Sequence, residues 1–313
     1  MDRKVLGVRA AICLALAAGA MGGGGGSLAA QTRQPPQTHD RLSYDRMAEL
    51  VAGPISTVRS KGLEAGKAAF ETLLASVRAT RGAQSVRAAD MLESFGIVLY
   101  TLSDGASDQL REASIPYLQA AIQAYRAAYG AGNPEVAVAL HSYADAQVQL
   151  HPDDPPESAD NAFEEAFRIR LAALGARNIE TRAALRQFAR LRGLPSRTRS
   201  DRARIEAAAT LYRQLIASSP EDVQPESMSA ADGILALAQM FAQNGLTDEA
   251  RTQLRMAIER VRGWNEVDRC FFISSRVGEV EEMLADGPAQ ARQVSARRAA
   301  AVANCFRMPR GGD

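Results

Sequence analysis

The chain has 313 residues, 46% hydrophobic, 5% aromatic and 23% charged, with 37 Lys and Arg against 36 Asp and Glu and three cysteines. That apolar content excludes a wholly disordered protein, the formal charge of +1 argues against an electrostatic nucleic-acid binder, and three cysteines are too few for a disulfide scaffold. Beyond the N-terminus no stretch is apolar and long enough to span a bilayer.

The first residues carry Arg3, Lys4 and Arg9, then the apolar run Ala10 to Met21, five glycines, and Ser27-Leu28-Ala29-Ala30. A basic start, an apolar middle and a small-residue end predict a secretory signal peptide over 1–29, with cleavage after Ala29 or, earlier, after Ala20. An uncleaved anchor is the alternative, but Gly22 to Gly26 would interrupt its helix. Loss of residues 1–29 removes three basic residues and Asp2, leaving a charge of about −1. The expected location is the periplasm or the extracellular space. Residues 30–46, with Pro35-Pro36 and no apolar periodicity, read as a flexible tether.

From Leu42 onward apolar residues recur at spacings of three and four, so the body is predicted to be all-α. Alanine makes up about a fifth of the chain, which favours helix and lets helices approach closely. There is also an internal repeat. Gly130-Ala131-Gly132-Asn133-Pro134-Glu135 aligns with Gly175-Ala176-Arg177-Asn178-Ile179-Glu180 at an offset of 45, and the same offset aligns Ala139 to Ala144 with Ala184 to Ala189. Two matches at one offset point to stacked units that cannot bury their apolar faces alone.

The clearest unit is Ile234, Leu237, Ala238, Phe241, Gly245, Ala250, Leu254 and Ala257. Its spacing resembles the tetratricopeptide repeat (TPR), a helix hairpin in which small residues mark the closest backbone approach and large ones fill the gaps. Earlier units are similar to the longer variant of kinesin light chains: Ala159, Phe163, Ala166, Ile169, Arg170, Leu174-Gly175, and Leu118, Ala121, Tyr129 to Glu135. The resemblance covers about residues 90–262. It implies a right-handed superhelical solenoid of antiparallel hairpins at roughly 47–82, 88–130, 134–175, 179–219 and 228–262.

Residues 263–313 are predicted to close that array. Cys270 stands at the start of one helical pattern, 271–284, and Cys305 at the end of another, 290–306, with Asp286-Gly287-Pro288 between. An antiparallel pair of helices brings those positions together, so a Cys270–Cys305 disulfide in a capping hairpin is expected of an exported chain.

For function, His39, His141 and His151 form no metal-spaced set, and there is no nucleophile elbow, phosphate-binding loop or zinc-protease motif. Asp153-Asp154 reads as a solvated turn pair. No enzyme, cofactor or metal is expected. The resemblance implies instead a concave surface lined by first helices. Carried across hairpin by hairpin, its contact positions are Glu93, Ile97 and Tyr100; His141, Asp145 and Val148; Arg186 and Arg190; Leu235, Gln239 and Ala242. The paired asparagines usual in the kinesin-light-chain variant, which hold peptide backbone, are replaced here by His141-Ser142 and Arg186-Gln187. Arg182, Arg186 and Arg190, four apart, predict a basic stripe on one helix, and arginines at 192, 197, 199, 202 and 204 follow it. The expected partner is therefore a protein with an acidic segment. The alternative is an accessory subunit docking to a cell-envelope enzyme or secretion assembly through its convex face, where exposed apolar residues on the second helices would favour it.

Overall fold

The computed structural model describes residues 44–102, 108–194, 202–219 and 229–305, and every regular element among them is helical. The expected signal peptide, its cleavage sites, most of the tether, and Arg197 and Arg199 lie outside the described residues. Among those described, no helix is long and apolar enough to cross a membrane.

In chain order the described helices before residue 262 are α1 (Tyr44–Lys61), α2 (Leu63–Arg81), α3 (Val86–Thr101), α4 (Asp108–Tyr129), α5 (Pro134–Leu150), α6 (Glu157–Leu174), α7 (Ile179–Gly193), α8 (Arg202–Ala217), α9 (Ala230–Gln243) and α10 (Thr247–Arg260). The chain divides into two compact units after Leu150, between α5 and α6.

In the first unit α1 packs on α2, α3 on α4, and α4 on α5, while α3 also touches α1 and α5. The helices follow from their apolar spacing. Phe70 and Leu74, four apart on α2, are buried, and Gly66 one turn earlier lets α2 close onto α1, where a Cβ would come within 2.9 Å of the Val58 amide nitrogen. Phe70 stacks on Phe95 of α3 at 4.1 Å, and Tyr117 of α4 meets both rings edge-on. Every residue from Ala88 to Gly96 is buried. A helix buried all round sits inside its unit and has no solvent face over that length.

The second unit packs α7 against α6 and α8, and α9 against α8 and α10. Ile234, Leu237, Ala238, Phe241, Ala250, Leu254 and Ala257, the apolar helix positions that matched the repeat, are buried in two adjoining clusters, while Gly245, in the turn between the helices, is exposed. The 45-residue offset also recurs as geometry. Gly130 and Gly175 take φ of 86° and 82°, values that L side chains rarely adopt, and three residues on Asn133 and Asn178 each accept the amide of a glutamate two residues further at 2.8 Å. Another staple joins α7 to α9: Asn244 Nδ2 donates to the carbonyls of Gly193 and Met240, both at 2.8 Å. Asn244→Asp turns that donor into an anion facing two carbonyls. It is expected to lower the stability of this unit by about 2–3 kcal/mol, read as a fall in urea midpoint at unchanged m.

The described residues end in a pair of helical segments. The first begins at Glu266, five residues before the predicted 271, because Asn265 caps it by accepting the Asp268 amide at 2.9 Å. It runs as α11 (Glu266–Phe271), a π-helical turn (Phe272–Val277) and α12 (Gly278–Met283), and α13 (Pro288–Cys305) returns beside it. Phe272, Val277 and Val280 cover Ala231, Ile234, Leu235 and Ala238 of α9. Cys270 and Cys305 are joined by a disulfide, with Cα atoms 5.7 Å apart.

Candidate functional site

The predicted contact residues meet different fates. In the first unit Glu93 is 1% exposed and does not line a surface, contrary to expectation. The reason is the enclosure of α3 described above. Its carboxylate accepts from Tyr125 Oη at 2.9 Å and from Ser142 Oγ at 3.4 Å, and the same tyrosine lies 2.7 Å from Asp90 Oδ1. Asp90 and Tyr125 are fully buried. Ile97 and Tyr100, near the end of α3, are half-buried. On α5, His141 and Asp145 lie one turn apart, with Nε2 and Oδ2 separated by 3.3 Å, and both are half-buried, as is Val148. α3 and α5 are neighbours, so these partly exposed residues belong to adjacent first helices.

In the second unit the basic stripe is shorter than predicted. Arg182 is 2% exposed and donates to Ser219 Oγ at 2.9 Å; burial pushes its pKa below the usual arginine range, opposed by Asp232. Arg192 is absorbed by packing between α6 and α7. Its guanidinium lies 4.3 Å from the Phe188 ring centre and binds Asp160 and Glu164, each at 3.0 Å. Arg202 pairs with Glu206 and Glu249, and Arg204 donates to the Leu191 carbonyl. Arg186 and Arg190 differ. Among the described residues neither pairs with a carboxylate, and Arg190 bonds only the neighbouring Gln187 amide oxygen at 2.9 Å. Both sit close enough to the buried Tyr212 phenol to oppose its shift: burial pushes that pKa up to about 12, and the two arginines pull it down.

On α9, which neighbours α7, Gln239 and Ala242 are half-buried. Leu235 is 3% exposed, because the C-terminal helices pack on its face, so it too is withdrawn from the predicted contact set.

The structure brings no three His, Cys, Asp or Glu side chains into a metal-binding group among the described residues. What sequence reasoning missed is the Asp90, Glu93, Tyr125 and Ser142 cluster. Its signal was present: two acidic residues three apart in a helix whose other residues are mostly apolar need a buried donor.

No model of a known protein family matches the chain, and no curated protein matches its sequence. Solved structures do. A crystal structure of a Podosopora anserina protein with nearly identical TPR-like repeats, described as a putative kinesin light chain, aligns with a TM-score of 0.52 at 14% identity, covering 71% of this chain and 98% of that one. A point variant of the same protein aligns with a TM-score of 0.51 at 14% identity, covering 71% and 97%. At this identity the likeness is one of fold. The repeat spacing in the sequence, the paired helices and these alignments agree that the chain has a TPR-like helical-repeat fold.

Proposed function

We propose that the protein is an exported, non-catalytic scaffold for protein–protein interaction, which holds a partner on the faces of its first helices and uses Arg186 and Arg190 to receive an acidic segment. The observation that carries this reading is the selective state of the arginines. Arg182, Arg192, Arg202 and Arg204 are engaged within the unit, whereas Arg186 and Arg190, one helical turn apart, face no carboxylate among the described residues. Two planar guanidinium forks at that spacing suit paired carboxylates on a partner. Export is supported by the basic, apolar and small-residue order of residues 1–30, and a disulfide fits an oxidising compartment.

The test is cross-linked affinity capture from the envelope fraction of the source organism. Wild type is expected to enrich a specific partner, and Arg186→Glu with Arg190→Glu to weaken its capture about tenfold or more while circular dichroism stays unchanged. Undiminished capture removes the arginines from the site.

A second reading, docking through the second helices, draws support from Leu171 on α6 and Met256 on α10, which are 38% and 50% exposed. It requires the opposite pattern: capture surviving the arginine reversal and lost on Leu171→Asp with Met256→Asp.

A further inference from the structure

A polar side chain buried without a partner lies beside Arg186 and Arg190. Tyr212 of α8 is 3% exposed and belongs to one buried cluster with Leu185 and Ala189 of α7 and with Leu237 and Phe241 of α9. A buried phenol ordinarily finds an acceptor for its hydroxyl, yet Tyr212 makes no hydrogen bond among the described residues. Its oxygen is not sealed either, so the hydroxyl ends at the surface of the unit. Leu185 and Ala189 immediately precede Arg186 and Arg190, so the face of α7 that meets Tyr212 carries both guanidiniums at its margin.

The charge around this hydroxyl has one sign. Among the described residues Arg186 and Arg190 are the charges that act on the phenol, and no carboxylate opposes them; with burial pushing its pKa up to about 12, Tyr212 keeps its proton at neutral pH and is a donor. Arg186, half-buried, makes no hydrogen bond or ion pair among the described residues, and Arg190 bonds only Gln187 Oε1 at 2.9 Å. Three donors, two of them cationic, therefore share a place to which the unit supplies no anionic acceptor. A buried hydroxyl without an acceptor costs stability, and phenylalanine would pack there without that cost. An acceptor brought from outside recovers it.

We propose that Tyr212 is the third donor of the partner site: one carboxylate of the bound acidic segment lies between Arg186 and Arg190 and accepts the Tyr212 hydroxyl. The inference rests on the reading that these arginines receive an acidic segment, and adds the depth and placement of one acid. Guanidiniums on a surface read charge, whereas a hydroxyl fixed by packing reads the position of a single oxygen.

The probe is hexaglutamate, added to the full-length ¹⁵N-labelled chain at about 0.15 M salt, with hexaglutamine as the control. Hexaglutamate should shift the amide resonances of Leu185 to Arg190 and of Ala208 to Leu215 in a saturable manner, and hexaglutamine should not. Tyr212→Phe should weaken hexaglutamate binding about fivefold or more, while its urea midpoint stays the same or rises, because the free protein loses no hydrogen bond. Arg186→Gln with Arg190→Gln should remove the saturable shift. Absence of a saturable shift in the wild type overturns the proposal, as does a lower urea midpoint for Tyr212→Phe, which would reveal an acceptor inside the unit. Undiminished binding by Tyr212→Phe overturns it and leaves the arginine reading standing; undiminished binding by the double arginine variant overturns both. Inorganic phosphate binding more than about tenfold tighter than hexaglutamate at the same resonances would assign the site to a phosphoryl group and also overturns it.

Discussion

Tyr125→Phe is expected to destabilise the first unit by about 2–4 kcal/mol, although it removes a single oxygen and leaves no cavity larger than that atom. The hydroxyl lies 2.7 Å from Asp90 and 2.9 Å from Glu93, and both carboxylates are out of reach of solvent. A phenyl ring preserves the packing, so the loss is purely polar: two buried acids each forfeit a partner inside a low-dielectric unit. Tyr143→Phe is the control. Tyr143 receives the amides of Gln119 at 3.4 Å and Gln147 at 3.0 Å in a partly buried setting, where both glutamines retain access to water, and its removal should cost under about 1 kcal/mol. Urea unfolding of both variants reads the difference. Equal, small shifts would mean that the two acids are solvated by other groups and that Tyr125 is a spectator.

The second large effect is expected at the C-terminus. Replacing Cys270 and Cys305 by alanine should cost about 3–4 kcal/mol in the chain-entropy view, given their sequence separation of 35. The loss should also be local, because α13 has little else to hold it. Only Val294 and Cys305 of its 18 residues are buried, and its ion pairs from Arg298 to Glu279 and Glu282, at 3.6 and 3.7 Å, are partly exposed and therefore weak. Hydrogen exchange reads this directly. On adding a dithiol reductant, the amides of α13 should lose protection while those of α9 and α10 keep theirs. Full retention of protection in α13 would show that packing, not the covalent link, secures it.

The elements and their pairing were legible in the sequence because they depend on short-range regularities. Three- and four-residue apolar spacing marks each helix, the offset of 45 marks the unit, and Ile234 to Ala257 marks the hairpin; each is a local consequence of which side chains must meet. The cysteine pairing followed from the same topology. The site was less legible, because whether a first-helix residue faces outward depends on everything packed around it. Glu93 occupies a position where a two-layer hairpin would show it to solvent, but α1, α4 and α5 enclose α3. Leu235 is covered by residues about forty positions later in the chain, which no periodicity within α9 reveals. Arg182 shares its spacing with Arg186 and Arg190, yet Ser219, just past the end of the following helix, claims it.

The π-helical turn at Phe272–Val277 shows the same dependence on distant neighbours in mechanical form. In an uninterrupted α-helix Cys270 and Val277, seven residues apart, would point almost the same way. Here the wider turn retards the winding, so that the helix offers Cys270 to α13 and then, one stretch later, Val277 and Val280 to α9. The turn works as a phase shifter. It lets a single rod serve two neighbours that lie in different directions, and it makes the spacing between positions 270 and 277 as much a determinant of closure as the two sulfur atoms themselves.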